Sequence, residues 1–244
     1  VAQIEALAEQ HALGLSEASI MTLRVAGLDP QGPHAQIEEE LAKALRSLNP
    51  ARRQEDINLR TFAADIYLES GDIATGLANS ERALQVSRDT GLKVSEMQLL
   101  GLLAIALGQS GRAEEALRAA RAARLVIGGT QPPKLELHHL LIEAYAELRC
   151  NHQDAVRSLL QRAFAIAREH GYLEGYQWNT RVMARLCAEA LNAGIETSHV
   201  VSIVRARRLA PTAEVDCAAW PWPVRIFVLG RFEVQLSGAP LAFT

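Results

Sequence analysis

The chain repeats itself, and that repeat limits its fold more than any other property. Ala64, Ala104, Ala144 and Ala184 stand 40 residues apart. In the same frame Ala83, Ala123 and Ala163 recur, as do Val86, Val126 and Ile166, with Gly71, Gly111 and Asn151 between the two sets. A fixed period of roughly 20–50 residues is the signature of a repeat architecture. Aromatic residues make up only 5% of the chain, and its wealth of Ala and Leu favours closely packed helices over a sheet-rich core. Each unit is therefore read as two antiparallel helices joined by a tight turn. Small residues belong where the helices cross, because a larger side chain would push the axes apart. Gly71, Gly111 and Asn151 suit a turn that needs a positive φ.

The breaks between units are also visible. Gly91, the pair Gly128–Gly129 followed by Pro132 and Pro133, and Gly171 interrupt the helical pattern. Asp72 reads as an N-cap, and Ser95 with Gln98 as a capping box. Units are expected at about Asp56–Thr90, Ser95–Ile127, Leu135–His170 and Leu173–Arg208. Before them, Ser16–Ala26 and His34–Leu48 form a looser pair split by DPQGP. The arrangement of Tyr67, Gly71, Gly76 and Ala83 resembles the tetratricopeptide pattern, whose usual period is ~34 residues. A longer period implies longer helices. The expected fold is all-α: a tetratricopeptide-like helical-hairpin superhelix, or α-solenoid, with a short C-terminal β-hairpin.

After Leu209 the composition changes. Residues 210–223, APTAEVDCAAWPWP, carry three prolines and no helical period. VRIFVLG and RFEVQLSG then read as strands at Val224–Leu229 and Phe232–Leu236, with a third possible in APLAF. The expected domains are 1–209, the helical repeats; 210–223, a linker whose two tryptophans pack on something; and 224–244, the first strands of a further domain. No strand is expected before Val224.

WPWPVRIFVLGRFEV followed by SGAPLAF resembles the opening strands of an OmpR-like winged-helix domain preceding a bacterial transcriptional activation domain. The segment from Arg168 to Pro211 is similar to the last helical repeat of MalT-like bacterial regulators. That resemblance implies a nucleotide-binding ATPase module upstream, a tetratricopeptide-like sensor, and a C-terminal DNA-binding domain. No Gly-rich phosphate loop of the form GxxxxGK[ST] occurs in the chain, so any ATP site belongs to an upstream module, and no cofactor is expected here. The helices that would enter a DNA groove are not in the sequence either. The chain opens at Val1 inside a helical pattern, as a piece of a longer polypeptide would.

A net charge of −3 does not describe an electrostatic nucleic-acid binder. No apolar run is long enough to span a bilayer, and no leader pattern precedes the helices. Cys150, Cys187 and Cys217 are odd in number and widely spaced, which points to free thiols in a reducing, cytoplasmic compartment.

The site candidates follow from the register. The first helix of each tetratricopeptide pair lines the concave groove. With the repeating alanines at the eighth position, Asn58, Gln98, His138 and Trp178 take the second. Thr61, Gly101, Leu141 and Arg181 take the fifth, and Asp65, Ile105, Tyr145 and Arg185 the ninth. His138, Tyr145, Trp178, Arg181 and Arg185 thus gather toward the C-terminal end. Trp178 and Arg181 stand at i, i+3, and Arg181 and Arg185 at i, i+4. A stacking surface beside bidentate donors suits an anionic or sugar-like effector or an acidic peptide. The alternative is that Trp178 packs on the linker and the arginines bridge to Glu174 or Glu189. His138, His139, Cys150 and His152 invite a zinc reading, but the two pairs lie at opposite ends of one helix, ~18 Å apart at 1.5 Å per residue, too far to share one ion. RAARAAR (Arg118–Arg124) and RARR (Arg205–Arg208) are either phosphate-meeting stripes or solvated helix faces, the first with Glu114 and Glu115 near enough to pair. No nucleophile or acid–base grouping occurs at close spacing, so no enzyme is expected.

Two functions remain. One is the signal-input region of a cytoplasmic bacterial transcription activator, relaying a small-molecule effector, peptide or protein in the groove to a DNA-binding domain further on. The other is a tetratricopeptide scaffold with no effector role.

Overall fold

The computed structural model describes residues 34–49, 51–129, 131–175, 179–211, 218–229, 232–236 and 239–241. They are mostly helical, with a small sheet at the C-terminal end. The helices are α1 (His34–Ser47), α2 (Arg53–Ser70), α3 (Ile73–Thr90), α4 (Lys93–Gln109), α5 (Ala113–Ile127), α6 (Pro133–Arg149), α7 (Gln153–His170), α8 (Thr180–Asn192) and α9 (Thr197–Ala206). The strands are β1 (Val224–Phe227), β2 (Glu233–Leu236) and β3 (Ala239–Pro240). Among the described residues no strand precedes Val224. The expected helix at Ser16–Ala26, Cys217 and Trp178 lie outside them.

The chain divides into two compact units, Val1–Thr130 and Gln131–Thr244. In the first, α2 packs along α3 and α4 along α5, with further contacts of α3 on α4, α2 on α4 and α1 on α2. Leu41, Ala44, Leu59 and Ala63 are fully buried between α1 and α2, ringed by Leu45, Leu48, Phe62, Ile66 and Tyr67. Burying each Leu contributes about 1.5–3 kcal/mol. In the second unit α6 packs along α7, α8 meets α6, α7 and α9, and α9 returns to α7.

Backbone geometry explains the repeat. Gly71, Gly111 and Asn151 have φ of 95°, 83° and 61°: one left-handed residue turns each first helix into its partner. In the second and third pairs that turn is closed by Arg112 N–H donating to Leu107 O (2.9 Å) and His152 N–H to Glu147 O (3.0 Å). The same 6→1 bond runs from Leu92 to Ser87 after α3, and from Tyr172 to Ala167 after α7. Asp72 caps α3, accepting from Thr75 N–H at 3.1 Å. Ala64, Ala104, Ala144 and Ala184, and likewise Ala83, Ala123 and Ala163, are buried, as crossing positions require.

Three expectations need correction. Ser95 does not open a capping box: α4 starts at Lys93 with Leu92 at the N-cap position, because the left-handed Gly91 leads straight into the next helix. The aliphatic column is not uniform, since Val86 is buried while Val126 and Ile166 are half-exposed. The fourth pair departs from the period. Its first helix starts at Thr180, capped by Asn179, whose side chain accepts from Val182 N–H at 3.0 Å. The following turn uses Gly194 (φ 70°) and Glu196 (φ 39°).

β1 and β2 pair antiparallel from Val224 opposite Leu236 to Phe227 opposite Glu233, and β3 adds to β2. Trp220 is buried while Trp222 is largely exposed, their rings 6.4 Å apart. The Arg225 guanidinium donates to Trp220 O (2.7 Å) and Ala218 O (3.2 Å), tying the tryptophan segment to the first strand.

Candidate functional site

The second unit holds the residues expected to form the site. His138 and Tyr145 are on α6 and almost fully buried, at 2% and 6% exposure. They do not line an open surface. The chain after α7 explains part of this, for it runs back along α6. A Cβ on Gly175 would lie 3.9 Å from Leu141 Cδ1, and Lys134 Nζ sits 5.9 Å from the Tyr172 ring centroid. His199 Nε2 bonds Tyr172 O at 3.0 Å, anchoring this segment to α9.

Arg181 and Arg185 lie on α8. Arg181 is exposed, and Arg185 is half-buried with its Nη2 2.9 Å from Glu189 Oε1. The carboxylate one turn on offsets the charge of the inner arginine. α8 begins at Thr180, and the i, i+3 relationship expected between Trp178 and Arg181 involves a residue outside the described ones. Glu174 is drawn to Arg207, at 2.8 Å.

Several other polar groups of this unit pair with one another. Glu147 is buried and lies 2.6 Å from His152 Nδ1, a link across the α6–α7 turn. The end of α7 and the start of α9 border an open cleft of about 590 Å³ lined by Arg168, Glu196, Thr197, Ser198, His199 and Ser202. Arg168 and Glu196 neutralise one another there at 2.9 Å. Among the described residues no three metal-ligating side chains converge. Cys187 is buried, its thiol pushed up to about 12 by burial, so it is protonated and unreactive at neutral pH.

Of the first basic stripe, Arg118 and Arg121 are exposed. Glu115 pairs with Arg112 instead, at 2.7 Å, and that contact holds its carboxyl below the usual range.

The first unit contains a cavity that sequence reasoning did not single out. It measures about 210 Å³ and lies between α2 and α4, lined by Ile57, Asn58, Thr61, Phe62, Asp65, Ser95 and Gln98. The groove register had assigned Asn58, Thr61, Asp65 and Gln98 to lining positions, and these four do line it. They carry no aromatic–arginine signature, which is why the more conspicuous C-terminal residues drew attention. Among the described residues Asp65 is the one ionisable group in the lining. Burial pushes its carboxyl up to about 7, and the nearby negative Glu69 adds to the rise.

No protein-family model matches this chain, and no curated protein matches it.

Proposed function

We propose that the chain is the signal-input region of a MalT-like bacterial transcription activator. Its helix pairs would form a tetratricopeptide-like superhelix, and β1–β3 would open an OmpR-like winged-helix domain. The observation that carries this reading is the sheet's apolar surface. Ile226, Phe227, Val228, Leu229 and Phe232 are all exposed, Leu229 at 92%. Soluble proteins rarely leave so many large apolar side chains uncovered in one small element, and a sheet of three short strands sits at the lower limit of independent stability. A winged helix supplies a covering layer as helices packed on its leading strands. The left-handed turn recurring at Gly71, Gly111 and Asn151 supports the tetratricopeptide part.

In this reading the chain works in the cytoplasm, and an effector or partner meets the second unit at Arg181, the exposed member of the expected group. Arg185 stands behind it, Trp178 precedes the helix, and His138 and Tyr145 give buried support. Occupancy there shifts an on–off equilibrium that a DNA-binding domain reads. A scaffold with no effector role is the second reading, and the apolar sheet favours the first.

The test is a gel-shift comparison. Extended through the coding sequence that follows Thr244, the chain should bind duplex DNA in a sequence-dependent, salt-resistant manner, whereas the 244-residue chain should not. In the extended protein Arg181→Ala should remove the response to the inducing signal and leave basal DNA binding intact. DNA binding by the 244-residue chain, or an unaltered response in Arg181→Ala, overturns the reading.

A further inference from the structure

We infer that the cavity between α2 and α4 in the first unit is a binding site for a protonated amine on a short apolar stem, with the Asp65 carboxylate as its counter-ion. The inference uses the first unit's geometry alone and does not rest on the regulator reading.

Asp65 makes no hydrogen bond or ion pair with any described residue. It is half-buried in the cavity wall, burial raises its carboxyl, and the charge that acts on it, Glu69, is also negative. A carboxylate in that setting is costly to ionise unless a cation joins it. Among the described residues no basic side chain lines the cavity, so they supply no counter-ion there.

The remaining lining matches an ammonium group in kind. The Thr61 hydroxyl gives its hydrogen to Ile57 O at 2.7 Å and so turns its lone pairs outward as an acceptor. The Ser95 hydroxyl and the Gln98 carbonyl oxygen bring two further acceptors from α4. An ammonium has three donors and no acceptor, so Asp65, Thr61 and one group of α4 would satisfy it. An anion would meet a carboxylate, and a neutral alcohol would leave that carboxylate without a compensating charge. Ile57 and Phe62 form the apolar part of the lining. Phe62 stands one turn before Asp65 on the same helix, where its ring face can also attract a cation.

Size sets the stem. A cavity of about 210 Å³ equals the share of liquid volume of roughly seven waters. That suits a linear alkylamine such as cadaverine, or a lysine side chain of a partner protein. These two sources share one chemistry, and titration separates them.

The experiment uses the 244-residue chain with cadaverine, a doubly blocked Gly-Lys-Gly peptide and, as neutral control, pentanol. Calorimetry should show saturable binding of at least one amine, with pentanol weaker by about tenfold or more. The tighter of the two amines identifies the source. Asp65→Asn should lose about tenfold or more in affinity with its circular dichroism unchanged. Independently of any variant, the Asp65 carboxyl carbon followed by NMR near neutral pH should move to its ionised position as the amine saturates. The inference is overturned if no amine saturates below ~10 mM, if pentanol matches the amines, if Asp65→Asn binds equally well, or if the Asp65 signal stays still at saturation.

Discussion

Leu68 occupies the space that a side chain at position 76 would need. A Cβ on Gly76 would lie 2.7 Å from Leu68 Cγ and 2.8 Å from its Cδ2, and Leu68 is fully buried. The glycine lets α2 and α3 approach just beyond their turn. A mid-helix Gly normally costs about 1 kcal/mol relative to Ala, and the close approach explains why one is kept here.

Gly76→Ala should therefore destabilise the chain, by ~1–2 kcal/mol net, because overpacking against Leu68 outweighs the gain in helix propensity. Chemical denaturation measures it. In a Leu68→Ala background the same change should be neutral or stabilising, so a double-mutant cycle isolates the contact. A stabilised Gly76→Ala single variant would remove the explanation.

The left-handed turns predict opposite responses at equivalent positions. Asn151 has φ 61° and Gly111 has φ 83°. Asn151→Gly should be neutral or mildly stabilising. Gly111→Val should cost ~1–2 kcal/mol, the penalty for a Cβ in the left-handed region. Urea midpoints of the two variants, read against the parent, decide the matter.

Ala104 and Ala144 are both fully buried. Ala104→Leu or Ala144→Leu should overpack a helix crossing at a cost of ~1–3 kcal/mol. Thermal melts indistinguishable from the parent would show that these alanines do not lie at crossings.

Asp65 predicts a pH dependence. Its folded carboxyl is pushed up to about 7 from a reference of 3.8, so between those values the folded state holds a proton that the unfolded chain has released. The stability slope is negative there: stability falls as pH rises from about 4 to 7 and is level above that. Asp65→Asn abolishes this component. The variant should exceed the parent at pH 8 by on the order of 1–2 kcal/mol, a figure reduced for the partial exposure of the group. At pH 4 the two should converge. Urea unfolding across this range checks it, and parallel pH profiles would contradict the environment described for Asp65.

The helix pairs and their turns were legible in the amino-acid string because they depend on local requirements. A turn needs a left-handed residue, and a crossing needs a small one; both recur at a fixed spacing whatever surrounds them. The strands were legible from period-2 patterning for the same reason. Position 80/120/160 shows the limit: Ser80, Ala120 and Leu160 are all buried, yet as Ser, Ala and Leu they reveal no column, because burial there depends on what each neighbouring helix leaves open.

Site geometry depends on such neighbours throughout. His138 and Tyr145 held groove positions in the register, but the segment after α7 runs along α6 and both are buried. Arg185 was read as a ligand-facing cation, and it pairs with Glu189 on its own helix. Asp65 was one polar residue among many until α4 came to lie beside α2. Local backbone rules act within a few residues and can be read along the chain. Solvent exclusion and charge pairing are set by residues distant in sequence, and packing alone brings them to a common place.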